Sequence, residues 1–369
     1  MPRPDAGLRV LLVGPPTTHL EHARNTIRDL GHEVILVSYD TRHPEAFAHL
    51  PLVEGGRRAL TLWRLFRARA QFREILGATR PDIVHAHWLT GPGWIAALAG
   101  TRSLVVSAWG SDALRWTPAS RLARILVRVV GRRAAAVTYD AHAVRTALED
   151  AGVPADRMTR IVFGVDAERF RPGEACPGLL EQLGAPPGVP VVLSPRGLDR
   201  VYRPNTVIEA FAKVSAHRAV TLLLRVASGQ QDLLEDLERR FGDLSLAKIV
   251  PYGSVHYDEL PTLLRSVAVV LSVPENDGSS VVLLEAIATE TPVIVSDLPA
   301  NREWVVDGCA AIVPVGDVAA LAGAIEDVLD DPERARAGMR ALAVRVREHA
   351  STAGERSALQ ELYRRVSLR

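Results

Sequence analysis

The sequence contains no apolar run approaching the roughly 18 residues that a membrane-spanning helix needs. Its opening, Met1-Pro2-Arg3-Pro4-Asp5, leads into a strand pattern rather than a secretory leader. A cytoplasmic location is the simplest expectation. Cysteine is scarce: Cys176 and Cys309 are the only two in 369 residues, which suggests no disulfide framework, and their spacing fits no metal knuckle. No G-x-G-x-x-G follows the first strand, which argues against a dinucleotide cradle. Aromatic residues make up 5% of the chain and are not interleaved with basic ones as in nucleic-acid-binding modules, so nucleic acid is not an expected partner.

What is present has the composition of a globular protein, 47% hydrophobic and 24% charged. A chain of this length exceeds one typical core, so two domains are expected. The net charge of +1 hides an asymmetry. Residues 1–172 hold 24 arginines and 16 acids, net +8, whereas the remainder holds 20 basic and 27 acidic residues, net −7. Either the halves attract each other across a cleft, or the basic half faces an anionic partner.

Taken in order, residues 8–14 read as a buried strand, 21–30 as a helix stopped by Gly31, and 33–38 as the next strand. Further strands are expected at 82–88, within the strand and turn of 104–112, and at 135–140. A second series begins within 191–198 and continues through 220–226, 249–255 and 292–297. Two successive sets of alternating strands and helices imply an α/β protein of two Rossmann-like, doubly wound parallel sheets. Pro172-Gly173 and the Gly- and Pro-rich stretch 184–190 read as a linker.

Two segments are basic and amphipathic. One combines Arg57, Arg58, Arg64, Arg67, Arg69 and Arg73 with Leu60, Leu62, Trp63, Leu65, Phe66, Phe72 and Ile75. The other sets Arg121, Arg124, Arg128 and Arg132 at helical spacing around Leu122, Ile125, Leu126 and Val129. Such helices lie on anionic membrane surfaces or are domain helices with a solvated arginine face, and the pattern leaves both readings open.

The stretch 277–288 carries the chemistry. A polar turn containing Asp277 and Gly278 follows an apolar strand, and a helix starts near Ser279 or Ser280. Unpaired NH groups and the positive end of the helix dipole make a phosphate site there, and Gly278 removes the Cβ that would obstruct close approach. Glu285 lies eight residues beyond Asp277, about 12 Å along the helix. That is roughly the reach from a sugar across a pyrophosphate to a ribose. The bland alternative is an ordinary capped helix with Glu285 solvated. Elsewhere, His85 and His87 alternate on one strand face and would permit a metal, but no third ligand is apparent.

The two acids around a helix-opening glycine turn resemble the E-x7-E motif of family 4 glycosyltransferases, with Asp277 in place of the first Glu. Other stretches agree with that resemblance in order along the chain. Asp82 to His87 is similar to the family's D-x-x-H-x-H. Residues 104–112 are similar to its T-x-H-G-x-D turn, with Trp109 at the histidine position. Residues 161–172 resemble N-G-V-D-x-x-x-F-x-P, with Phe163 replacing Asn. The resemblance implies a GT-B fold, two domains facing a cleft: 1–172 on the acceptor side, 173–350 on the donor side, and 351–369 as a helix crossing back to the first domain. It implies transfer of a sugar, with retention, from a nucleotide-diphosphate sugar to a small-molecule acceptor. Arg196 matches the arginine that binds the donor diphosphate. The family's lysine position aligns with Tyr202, leaving Arg203, or Arg200 nearby, as its substitute. Planar bidentate arginine suits that task. Asp277 then orients the sugar, Gly278, Ser279 and Ser280 hold the pyrophosphate, Glu285 binds the ribose, and Tyr252 and Gly253 lie near the base. Gly14, Thr17, His19, His87 and Asp112 fall on the acceptor side. With no D-x-D present, no metal or other cofactor is expected. Rival readings are a lipid or polysaccharide transferase at the membrane surface, a GT-B sugar-nucleotide epimerase, and a non-catalytic subunit that keeps the donor pocket.

Overall fold

Short runs rich in valine, leucine and isoleucine form most of the thirteen strands that the structure, a computed structural model, has among the described residues. Residues 7–39, 43–50, 62–118, 120–242 and 249–368 are described, with the side chains of 62–66 excepted. Arg57, Arg58 and Leu60 of the first basic segment therefore lie outside the described residues, as do the side chains of Leu62, Trp63, Arg64, Leu65 and Phe66. The chain divides into two units, residues 1–162 with 353–369, and residues 163–352.

The first unit contains β1 (Arg9–Gly14), β2 (Glu33–Tyr39), β3 (Ala48–Leu50), β4 (Ile83–His87), β5 (Leu104–Ser107), β6 (Ala136–Tyr139) and β7 (Met158–Arg160). They form one parallel sheet in the order β3-β2-β1-β4-β5-β6-β7. Its helices are α1 (Thr18–Asp29), α2 (Leu62–Thr79), α3 (Trp94–Ala99), α4 (Arg121–Arg133) and α5 (His142–Asp150). Thr17 caps α1 by accepting from the Leu20 NH, and Ser120 caps α4 through the Ala123 NH. The second unit contains α6 (Pro177–Gln182), β8 (Val191–Ser194), α7 (Pro204–Ser215), β9 (Thr221–Arg225), α8 (Gln231–Phe241) and β10 (Ile249–Tyr252). It continues with α9 (Leu260–Ser266), β11 (Val269–Ser272), α10 (Val281–Ala288), β12 (Val293–Ser296), α11 (Pro299–Arg302), β13 (Ala311–Val313), α12 (Val318–Asp330) and α13 (Pro332–His349). Its sheet is parallel in the order β10-β9-β8-β11-β12-β13.

Both orders reverse direction once, between β1 and β4 and between β8 and β11. In such sheets the crevice beyond the carboxyl ends of the strands at that switch point is where ligands bind. The loops after β1, β4, β8 and β11 lie at these two switch points.

The last helix, α14 (Thr352–Ser367), belongs to the first unit: Leu359, Leu362, Tyr363 and Val366 join Val10, Leu12, Ile27, Ile83 and Val105 in one core. Tyr363 is fully buried, and its hydroxyl meets His85 Nδ1 at 2.7 Å. Residues 163–172, which the sequence reading assigned to the first domain, make their contacts in the second unit. Phe170 is buried 5.6 Å from the Tyr257 ring, and the Val165 NH donates to the Ala350 carbonyl. The apolar side chain of that signature, Phe170, is thus packed within the second unit.

Candidate functional site

In the second unit, β8 delivers Arg196 and β11 delivers Asp277 to the two sides of the switch point. Arg196 Nη2 lies 2.9 Å from Asp277 Oδ2, and Arg196 Nη1 donates to Ser280 Oγ at 2.6 Å. The guanidinium sits 4.3 Å above the Tyr202 ring, a cation–π contact. Asp277 Oδ1 accepts from the Gly278 NH at 3.0 Å. Ser279 Oγ accepts from the buried Trp304 indole at 3.1 Å. Burial raises the Asp277 pKa, against the pull of Arg196 and the Gly278 NH. For Arg196 burial works downward, but Asp277 and Tyr202 outweigh it and hold the guanidinium more firmly charged than usual. Ser280 is the N-cap of α10, yet its side chain caps no NH of that helix. The first-turn donors of α10 thus end beside a fixed cation and a carboxylate, a geometry suited to a phosphate and a neighbouring polyol.

Glu285 lies one helical face further along α10 and is 4% exposed. Burial lifts its pKa to about 8, against the lowering effect of the Tyr257 hydroxyl, which donates to Oε1 at 3.4 Å. Glu285 is therefore not the solvated acid of an ordinary amphipathic helix. Tyr257 is held in turn by Phe170 and by the Arg169 guanidinium, 4.9 Å from its ring. Sequence reading did not single out Tyr257, because nothing local marks a tyrosine whose partner is 28 residues away.

The loop after β8 is pinned by Gln230. Its Oε1 accepts from the Leu198 and Ala227 NH groups, and its Nε2 donates to Asp199. A Cβ at Gly197 would stand 2.7 Å from Gln230 Oε1, so this close approach requires glycine. Tyr202 takes the position beside Arg196. Arg203 does not join that cluster: it adopts φ of +52°, and its guanidinium lies against Gly316, where a Cβ would be 3.1 Å from Cζ. Tyr252 is buried at the end of β10, which raises its pKa, and Gly253 follows it exposed.

At the switch point of the first sheet, Gly14 ends β1 against His87 at the end of β4. A Cβ on Gly14 would come 3.1 Å from that of His87. His87 is 3% exposed with neither ring nitrogen hydrogen-bonded, 4.4 Å from the His85 ring and 4.9 Å from Trp109. Burial, with lesser contributions from the nearby histidines, drives its pKa well down, so it is neutral. His19 meets Trp109 edge to face at 5.0 Å. Trp109, Gly14, His19 and His87 are thus gathered together, with Thr17 committed to capping α1. Asp112 plays a different part. Its carboxylate accepts from the Leu89, Trp109 and Ala113 NH groups and ties the loops after β4 and β5, while burial, the larger effect, raises its pKa to about 6. Among the described residues no three His, Cys, Asp or Glu side chains are grouped to hold a metal ion, and no helix is long and apolar enough to cross a membrane.

Comparison with known proteins bears on both clusters. The model of Glycosyltransferase Family 4 matches residues 16–169, and that of glycosyl transferases group 1 matches residues 179–343. The GDP-mannose-dependent alpha-(1-6)-phosphatidylinositol monomannoside mannosyltransferase of Mycolicibacterium smegmatis is 30% identical over 260 residues, 68% of this chain and 66% of the relative. The D-inositol 3-phosphate glycosyltransferase of Nocardia farcinica is 25% identical over 282 residues, 71% of this chain and 62% of the relative. The match thus spans just under two thirds of the length of these relatives. Among solved structures, Anabaena Alr3699/HepE in complex with UDP-glucose aligns with a TM-score of 0.79 at 18% identity, covering 98% of this chain and 100% of that one. With both units matched in order and the paired parallel sheets of the GT-B fold, the chain belongs to glycosyltransferase family 4.

Proposed function

We propose that the chain is a retaining glycosyltransferase that moves a sugar from a nucleotide-diphosphate sugar to a small-molecule acceptor. The observation that carries this reading is the Arg196, Asp277 and Ser280 cluster at the start of α10, with a buried Glu285 on the same helix. Departure of a nucleoside diphosphate needs positive charge aimed at the leaving oxygens, which Arg196 and the first-turn NH groups of α10 supply. Asp277 orients the sugar and Glu285 accepts from the ribose hydroxyls. No protein nucleophile is assigned: attack on the face of the leaving group, with the departing phosphate helping to deprotonate the acceptor, accounts for retention. Tyr202 at the lysine position leaves Arg196 as the cation of this cluster. His87 and Trp109 are the groups in the first unit suited to the acceptor.

Thermal unfolding with saturating UDP, GDP, ADP, dTDP and CMP tests the donor half. A nucleotide at about one hundred times its dissociation constant adds about 2.7 kcal/mol, a shift of several degrees. One of the five is expected to give that shift, and product is expected only when acceptor is added, which separates transfer from epimerisation. Should none of the five stabilise the protein, the donor site is lost and a binding role for other ligands takes its place.

A lipid acceptor at a membrane surface is the second reading. The observation favouring it is α4 and the turn before it: Trp116 is 56% exposed, Leu122 64% and Ile125 56%, with Arg115, Arg121, Arg124 and Arg128 exposed around them. Exposed apolar groups ringed by arginine suit an anionic lipid interface, and the mycobacterial relative is named for a phosphatidylinositol mannoside. Vesicles containing anionic phosphatidylglycerol are expected to sediment the protein, and Arg121→Ala/Arg124→Ala/Arg128→Ala is expected to abolish this. Equal sedimentation of the triple variant, or none by the native chain, removes the lipid reading.

A further inference from the structure

The second unit has a cavity of about 700 Å³ that the donor reading leaves unused. It lies between the first turn of α7 and one face of α8, lined by Arg200, Arg203, Arg240, Asp236, Leu233 and Leu237, among others. Arg196, Asp277 and Glu285 are not part of its wall. The volume is in the range of small-molecule sites.

Its chemistry is that of a receptor for an anion with an apolar part. Arg203 Nε is buried with no hydrogen-bond partner, a guanidinium donor short of an acceptor and costly to leave so. Arg200 is exposed and has no carboxylate within ion-pair distance among the described residues. Arg240 is held in place, donating to Asn205 Oδ1 at 2.6 Å and lying 3.2 Å from Asp236. The acids on the wall are Asp236, which is paired with that arginine, and Glu275, so three cations face two acids and the net sign is positive. The cavity also opens on α7, a twelve-residue helix whose N-cap is Arg203 itself and makes no side-chain cap, so the helix dipole adds to the positive field. Leu233, 41% exposed, and the buried Leu237 supply an apolar side from successive turns of α8.

We propose that this cavity binds a phosphorylated small molecule carrying an apolar portion, the phosphate held by Arg200, Arg203 and Arg240 and the apolar portion laid on Leu233 and Leu237. This site is additional to the proposed donor site and does not depend on it. Arg203, displaced from the lysine position by Tyr202, serves this pocket rather than the donor diphosphate.

Phenyl phosphate is the probe, with inorganic phosphate as its apolar-free counterpart, titrated by phosphorus NMR and calorimetry into the full chain. Phenyl phosphate is expected to bind saturably and about tenfold tighter than inorganic phosphate, as burial of part of a ring on two leucines implies. Arg240→Gln and Arg200→Gln are each expected to weaken it by about tenfold, the loss of one charged hydrogen bond, and Arg196→Gln is expected to leave it unchanged. Arg200 is exposed, so its variant keeps the test sound if Arg240→Gln unfolds. Binding should also persist with saturating nucleotide present. Absence of saturable binding up to about 10 mM, the limit of useful affinity here, overturns the proposal. So does loss with Arg196→Gln, or binding by both cavity variants as tight as by the native chain. A failure of every nucleotide to stabilise the protein would end the donor reading and leave this result standing.

Discussion

Arg196→Ala is expected to lower kcat by about 10²- to 10³-fold, the range for removing a donor aimed at developing negative charge, while the protein loses about 3–5 kcal/mol of stability, as when one partner of a buried ion pair is deleted. The two effects have separate origins. On the proposed reaction, turnover falls because the leaving diphosphate loses its cation, with no lysine beside it to compensate. Stability falls because Asp277, with 17% of its side chain exposed, is left with a carboxylate that burial already disfavours. A second substitution separates them. Arg196→Met/Asp277→Asn leaves no buried charge, and well-packed neutral replacements of buried pairs are often neutral or stabilising. The double variant should therefore recover its urea midpoint and remain inactive. Retention of kcat within about threefold by Arg196→Ala would remove it from leaving-group stabilisation, because that loss is under 1 kcal/mol of transition-state energy.

The parallel sheets and the helix start at α10 could be read from the sequence because both rest on local patterns. Apolar runs too short for helices alternate with helical periodicity, and Asp277, Gly278 and the serines mark a turn into a helix. What a local pattern cannot carry is the partner of a side chain. Tyr202 and Arg203 are adjacent in sequence, and the choice between them as the neighbour of Arg196 depends on the left-handed backbone at Arg203, which sends its guanidinium to Gly316. Cation character made Arg203 the natural candidate, and backbone direction decided otherwise. Asp112 was legible as a polar residue in a turn, but its three accepted NH bonds link segments more than twenty residues apart. Tyr257 and Gln230 had no signal of their own, since each acts through distant partners.

The same limit applied to Glu285, whose place on the helix was legible but whose burial was not, and burial is what makes it titrate near neutrality. Its folded pKa of about 8 stands above the ordinary 4.5, so the folded protein holds this proton more tightly than the unfolded chain. The contribution to stability is fully present below about pH 4.5 and is lost as pH rises, levelling off above about pH 8, a total on the order of 5 kcal/mol. Glu285→Gln removes that slope. The variant is expected to match the native protein near pH 4.5 and to exceed it by about 3–5 kcal/mol at pH 8.5, read as urea midpoints in the absence of nucleotide. Ligand binding should run the other way. A ribose donates its hydroxyl protons best to the ionised carboxylate, and each such bond pulls the pKa back down. Nucleotide binding at pH 7 must then expel a proton from Glu285. Calorimetry in PIPES and in Tris should give binding enthalpies that differ by up to about one proton's worth of buffer ionisation, and affinity should rise with pH towards 8. Glu285→Gln, which keeps an acceptor oxygen but has no proton to lose, should bind more weakly with no buffer dependence. Buffer-independent enthalpies in the native protein would place the ribose elsewhere, because a buried acid that contacts a ligand's hydroxyls cannot keep its proton and accept theirs on equal terms.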